Sequence, residues 1–119
     1  MNKIRSYKDL LIWQKSMDLV EMIYGITVRL PSQEQWGLTS QMRRAAISVP
    51  SNIAEGYGRQ ATGEYRHHLT FARGSLLELE TQILLCQRLV YFKKDETNTL
   101  LDEVQTISKM LSSLISKIR

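Results

Sequence analysis

The sequence predicts an all-α protein: one up-down-up-down, left-handed four-helix bundle over residues 1–119, its second helix kinked at Pro50. Three observations lead there. Apolar residues recur at 3-4 spacing along four segments joined by short connections. Glycines and prolines number only 6 and 2, too few for the tight turns of an all-β chain. A length of 119 residues, 43% apolar and 24% charged, suits one globular domain and argues against disorder. A folded monomer of 13.8 kDa exposes roughly 6,600 Å², about a third of its unfolded surface, so a core without staples is feasible.

The first helix opens near Ser6, which stands three residues before Asp9 in a capping pattern. Leu10, Trp13, Met17, Val20 and Tyr24 form one apolar stripe. Ile12, Leu19, Ile23, Ile26 and Leu30 form a second, about 100° around the helix. The helix is expected to run to about Arg29 and to be stopped by Pro31. Ser32 to Gly37 is a connection with its own Ser-x-x-Gln pattern. The second helix carries Leu38, Met42, Ala45, Val49 and Ile53 on one face. Pro50 lies inside this run, where it removes a hydrogen bond and crowds the Ala46 carbonyl. One kinked helix is expected, two short helices being the alternative. Ala45, Ala46, Ser48, Ser51, Ala54 and Gly56 permit close helix approach, and Gly56 and Gly58 supply the stop.

Thr62 is the expected cap of the third helix. Its stripe is Tyr65, Leu69, Ala72, Leu76, Leu79, Ile83, Cys86 and Val90. Phe71, Leu77, Leu84, Leu85 and Leu89 lie off that stripe, so this helix should be buried on more than one side. Asp95 and Glu96 open the fourth helix at its positive end, and Leu100, Val104, Ile107, Leu111, Leu114 and Ile118 form its stripe.

A single cysteine, Cys86, precludes an intramolecular disulfide and gives no sign of an oxidising compartment. The longest apolar runs, such as Leu10–Trp13 and Ile83–Cys86, fall far short of the roughly 20 residues a membrane span needs. Gln14, Lys15 and Ser16 cut off any signal-peptide core. A cytoplasmic location without membrane contact is the expectation. The net charge is +4, with no polybasic block. Cation type is uneven: every lysine lies at or before Lys15 or at or after Lys93, and all cations between are arginine. Arginine is favoured where a cation is partly buried, stacked or bidentate, so the middle of the chain places its charge structurally.

Three stretches carry a family resemblance. Leu30–Arg59 reads LPSQEQWGLTSQMRRAAISVPSNIAEGYGR, Phe71–Ile83 reads FARGSLLELETQI, and Asp9–Val20 reads DLLIWQKSMDLV. Together they closely resemble the four-helix-bundle proteins encoded in 23S rRNA intervening sequences, a fold shared with the accessory proteins of diversity-generating retroelements. Trp36 stands where an aromatic is usual in that family. The resemblance implies a bundle that assembles into a homo-oligomeric ring, commonly a pentamer. The retroelement relatives are basic and bind nucleic acid and a reverse transcriptase.

Chemical motifs are few. Gly56-Tyr57-Gly58-Arg59-Gln60-Ala61 matches a dinucleotide fingerprint in spelling, but a helix rather than a strand leads into it, so it is a helix stop. Glu64, His67 and His68 supply one Glu-x-x-His, whereas a bundle di-metal site needs two with two further glutamates. No metal or other cofactor is expected. Cys86 lies on the apolar stripe, and Ser75 has no neighbouring base, so no enzyme is expected.

The polar residues of the family-like motifs are Asn52, Glu55, Arg59, Arg73, Glu78 and Glu80. They read as an ion-pair network fixing helix register or subunit contacts, with a partner-binding surface built from the same residues as the alternative. Arg43, Arg44, Arg59, Arg66 and Arg73 are the candidates for phosphate-led, non-specific contact with RNA or DNA. Trp13, Tyr24 and Phe71 read as core, leaving no stacking set. Two functions follow: a nucleic-acid-binding accessory module, or a self-assembling scaffold ring that binds a protein partner.

Overall fold

The computed structural model describes residues 3–59 and 61–118. Its four helices are α1 (Leu11–Thr27), α2 (Leu38–Tyr57), α3 (Thr62–Arg88) and α4 (Lys94–Lys117), with no strand among the described residues. Each helix packs on the next, and α1 closes the cycle on α4, while the diagonal pairs α1–α3 and α2–α4 bring no described Cα atoms within 8 Å of each other. The α2–α3 seam is the most extensive. The long axis, 43 Å, matches the roughly 40 Å that a helix of α3's length spans. No helix is long and apolar enough to cross a membrane.

The start of α1 differs from the sequence expectation. The Ser6–Asp9 capping box exists, but it closes a short 3-10 turn, Tyr7–Asp9, and α1 begins after Leu10. The two apolar stripes of α1 divide unequally. Ile12, Leu19 and Ile23 are buried, with Ser16 and Thr27 completing their face. Met17 and Tyr24 are exposed. Ser16 and Thr27 tolerate burial because each hydroxyl donates to the carbonyl four residues back, at 2.7 and 2.6 Å.

Helix α2 runs unbroken through buried Pro50. Gly58 caps α2 as expected, with right-handed φ, whereas Gly56 does not take part in the stop; Gln60 of the Gly56–Ala61 stretch lies outside the described residues. Gly56 sits inside the helix, buried against α3. Helix α3 begins at Thr62 itself, with Ala61 in the cap position and no side-chain cap. Leu69, Ala72, Leu76, Leu79, Ile83 and Cys86 are buried as the stripe requires, joined by Gln82.

Val90 departs from its expected place on that stripe. It follows the α3 cap at φ 64° and is 85% exposed. The Tyr91 and Val90 amides donate back to the Cys86 and Gln87 carbonyls, at 2.9 and 3.0 Å, which is a Schellman stop with valine where glycine is usual. A β-branched residue in left-handed conformation costs roughly 1–2 kcal/mol. Val90→Gly should therefore raise stability by about 1 kcal/mol, read as a melting temperature higher by roughly 3–6 °C. No rise in thermal melts would show the strain to be relieved elsewhere.

Phe92, next in the α3–α4 connection, is buried in the core. At the same end the Arg29 guanidinium grips the Glu96 carboxylate in a two-pronged pair, the second bond at 3.0 Å, and the Lys93 amide donates to Glu96 at 2.9 Å. Those bonds, with Arg29 first, hold the Glu96 carboxyl down to about 2 from its ordinary 4.5. A depressed carboxyl stabilises the fold fully above its unfolded value and loses that contribution as pH falls toward the folded one. Glu96→Gln should thus be less stable than wild type at pH 7, the gap closing between about pH 4.5 and 2. Urea titrations across that range measure it; a pH-independent gap would contradict it.

Candidate functional site: the polar seam between α2 and α3

Small residues on α2 let α3 approach closely, and the polar groups carried on both helices meet in the seam. The Ser48 and Ser75 hydroxyls pair at 2.8 Å. The Asn52 amide nitrogen donates to the Ser48 carbonyl and hydroxyl, at 2.9 and 3.0 Å. Its oxygen therefore faces the His68 Nδ1 at 3.0 Å, and since an amide oxygen only accepts, Nδ1 carries the hydrogen. The other ring nitrogen of His68, 17% exposed, faces Glu55 Oε2 at 3.8 Å. Glu55 pairs with Arg59 at 3.2 Å, and Arg59 reaches Glu64 at 3.8 Å. The chain Ser75–Ser48–Asn52–His68–Glu55–Arg59 crosses the seam at two heights. Apolar ridges alone tolerate a one-turn slide of α3 along α2; this chain penalises it, because a slide leaves half-buried donors unpaired.

A groove of about 390 Å³ continues from it, lined by Gln41, Arg44, Ala45, Ser48, Ser75 and Glu78. Below it, buried Gln82 reaches Glu78 at 3.5 Å, and its amide oxygen has no partner among the described residues.

The polar residues anticipated from the sequence thus divide. Asn52, Glu55 and Arg59 come together here. Glu78 lies along the same seam. Arg73 faces the other way and reaches the Ser112 hydroxyl on α4 at 3.5 Å. Glu80 makes no hydrogen bond among the described residues. The candidate nucleic-acid arginines are mostly engaged. Arg43 donates to the Thr27 hydroxyl at 2.9 Å and stacks over Tyr24 at 4.4 Å. Arg59 is paired as above, and Arg66 donates to the Ile118 carbonyl at the end of α4. Arg44 alone of the five has neither a hydrogen bond nor an ion pair among the described residues. Phe71 and Tyr24, expected in the core, are exposed, while Trp13 packs against it half-buried.

His68, Ser48 and Ser75 were not singled out as a set by the sequence. The available signal was the Ser48/Asn52 spacing of four among small residues, which puts both side chains on the face that approaches α3. Among the described residues no histidine nitrogen bonds either seam hydroxyl: His68 Nδ1 faces Asn52 and the two serines bond each other. Burial pushes the Cys86 thiol up to about 11, and its sulfur lies 3.6 Å from that of Met42. A thiol so placed is not a nucleophile at neutral pH. No group of metal-ligating side chains occurs among the described residues.

The fold and seam define a four-helix protein whose two longest-packed helices are locked by a polar chain. Residues 8–113 match the family model described as 23S rRNA-intervening sequence protein, and the chain belongs to that family. Its fold is similar to the crystal structure of a protein of unknown function from the S23 ribosomal protein family of Bacteroides thetaiotaomicron, with a TM-score of 0.83 at 23% identity, covering 88% of this chain and 98% of that one. No curated protein matches.

Proposed function

We propose that this chain is a non-enzymatic subunit of a self-assembling ring, a scaffold whose main property is association. The observation that carries it is unspent apolar surface on two unlike faces. One is the outer face of α3, where Phe71 and Leu77 are 56% and 59% exposed and Leu84, Leu85 and Leu89 follow along the helix. The other is a groove of about 350 Å³ between α1 and α2, lined by Tyr7, Trp13, Met17, Val20, Ile47, Pro50, Ser51 and Ala54. Two unlike faces joining head to tail generate a ring when the rotation closes. Five copies are what the family resemblance implies. Nucleic-acid binding ranks behind, because four of its five arginines already hold contacts inside the protomer that orient them; a ring would offer Arg44 with Arg88 and the lysines, enough for weak, salt-sensitive contact. A reverse transcriptase or another protein partner fits the scaffold reading.

Native mass spectrometry at micromolar concentration should give a multiple of 13.8 kDa, with five expected. Phe71→Asp combined with Leu85→Asp should give a monomer of unchanged helical circular dichroism. A wild-type monomer overturns the reading.

A further inference from the structure

The groove that continues from the α2–α3 seam has two walls of opposite hydrogen-bonding character. Helix α2 supplies donors. The Arg44 guanidinium carries five N–H groups, and none meets an acceptor among the described residues. Gln41, one turn earlier, has no side-chain hydrogen bond among them either. Helix α3 supplies acceptors. The Glu78 carboxylate has one partner, the Gln82 amide nitrogen, at a long 3.5 Å. Gln82 is only 7% exposed, and its amide oxygen has no partner among the described residues. Buried amide oxygens are nearly always paired, so this one lacks a donor that the protomer does not supply.

Arg44 and Glu78 line one groove, yet they form no ion pair with each other among the described residues. The one partner of Glu78 is neutral, so both side chains keep their charges. Those two charges select the occupant. A phosphate or a nucleic-acid strand gains Arg44 and is opposed by Glu78. An amine or a metal cation gains Glu78 and is opposed by Arg44. A molecule with a carboxylate close to an ammonium satisfies both walls, the first as acceptor and the second as donor. The volume, about 390 Å³, lies in the range of small-molecule sites, and the small Ala45 side chain in its lining leaves that space open.

We propose that this groove binds a free α-amino acid, its carboxylate on Arg44 and Gln41 and its ammonium on Glu78, beside the Gln82 amide. The site belongs to one protomer and does not require ring assembly. Ser75 and Glu78 also border the depression next to Phe71, so a neighbouring copy in a ring would stand at the rim of the groove.

Isothermal titration calorimetry tests this on wild type and on the Phe71→Asp, Leu85→Asp chain. The probes are L-alanine, L-glutamine and L-leucine, with acetate, ethylamine and inorganic phosphate as single-charge controls. Expected is saturable binding of at least one amino acid, at least about tenfold tighter than acetate or ethylamine. Arg44→Gln and Glu78→Gln should each weaken it by at least about tenfold with unchanged helical circular dichroism, and Gln82→Met several-fold. The direction of change separates the alternatives. Phosphate binding that tightens in Glu78→Gln would make this an anion site, and ethylamine binding that tightens in Arg44→Gln a cation site; either overturns the proposal. So does the absence of saturable heat from all three amino acids at about 10 mM, tenfold above a millimolar Kd. Binding to the Phe71→Asp, Leu85→Asp chain but not to an assembled wild type would mean that a second copy fills the groove, and overturns it too. A monomeric wild type that binds would remove the ring reading and uphold this one.

Discussion

Gly56→Val is expected to be among the most damaging single changes in this chain. A Cβ at Gly56 would stand 2.7 Å from the His68 Cβ and 3.1 Å from the Tyr65 ring. The first contact is to the root of a side chain, which cannot swing aside, so α2 and α3 must separate. That separation stretches the 3.0 Å Asn52–His68 bond and the 2.8 Å Ser48–Ser75 pair along the same seam. Overpacking of this kind costs about 1–3 kcal/mol for the first methyl, and the larger valine side chain more. For a domain of this size, melting temperature should fall by roughly 6–15 °C. Gly25 is the control: an added methyl there meets nothing within 4 Å. Gly25→Ala in α1 should gain up to about 1 kcal/mol from helix propensity. If Gly56→Ala rose in melting temperature as Gly25→Ala does, the close approach of α2 and α3 would be wrong.

Leu76→Ala should cost about 2–5 kcal/mol, because a fully enclosed side chain leaves a cavity that packed helices only partly fill. Leu76 is buried on the inner face of α3, whereas its neighbour Leu77 points outward. In the Phe71→Asp, Leu85→Asp background, where assembly is expected to be lost, Leu77→Ala should change urea stability by less than about 0.5 kcal/mol. The pair is a sharp test of helix rotation: equal costs would mean that α3 turns a different face to the core.

Much of this fold is legible in the chain. The four helices, their order and the inward stripes of α2 and α4 follow from apolar spacing, which is set by the local 3.6-residue turn and needs no partner to define it. The acidic start of α4 and the Ser6–Asp9 box are equally local, although that box turned out to close a single turn ahead of α1. Small residues around Ser48 and Gly56 announced a close approach, and the approach is there at Gly56. Gly74 carries the same small-residue signal yet faces open space within the protomer.

Apolar spacing and motif alone establish the helices, the inward stripes of α2 and α4 and of α3 as far as Cys86, and the family. Packing settles which of α1's two stripes faces the core, where each arginine goes, and that Trp36 and Val90 stand out in solvent. Periodicity fixes which residues share a face but not how far each helix is rotated about its own axis. That rotation emerges from the packing of all four helices at once. Ser16 and Thr27 can occupy the buried face of α1 because their hydroxyls are satisfied by their own helix, a fact invisible to a count of apolar residues. The same holds for charge. Arg43, Arg66 and Arg73 look alike in the chain, and each is claimed by whichever acceptor the neighbouring helix brings within reach: Thr27, the Ile118 carbonyl and Ser112.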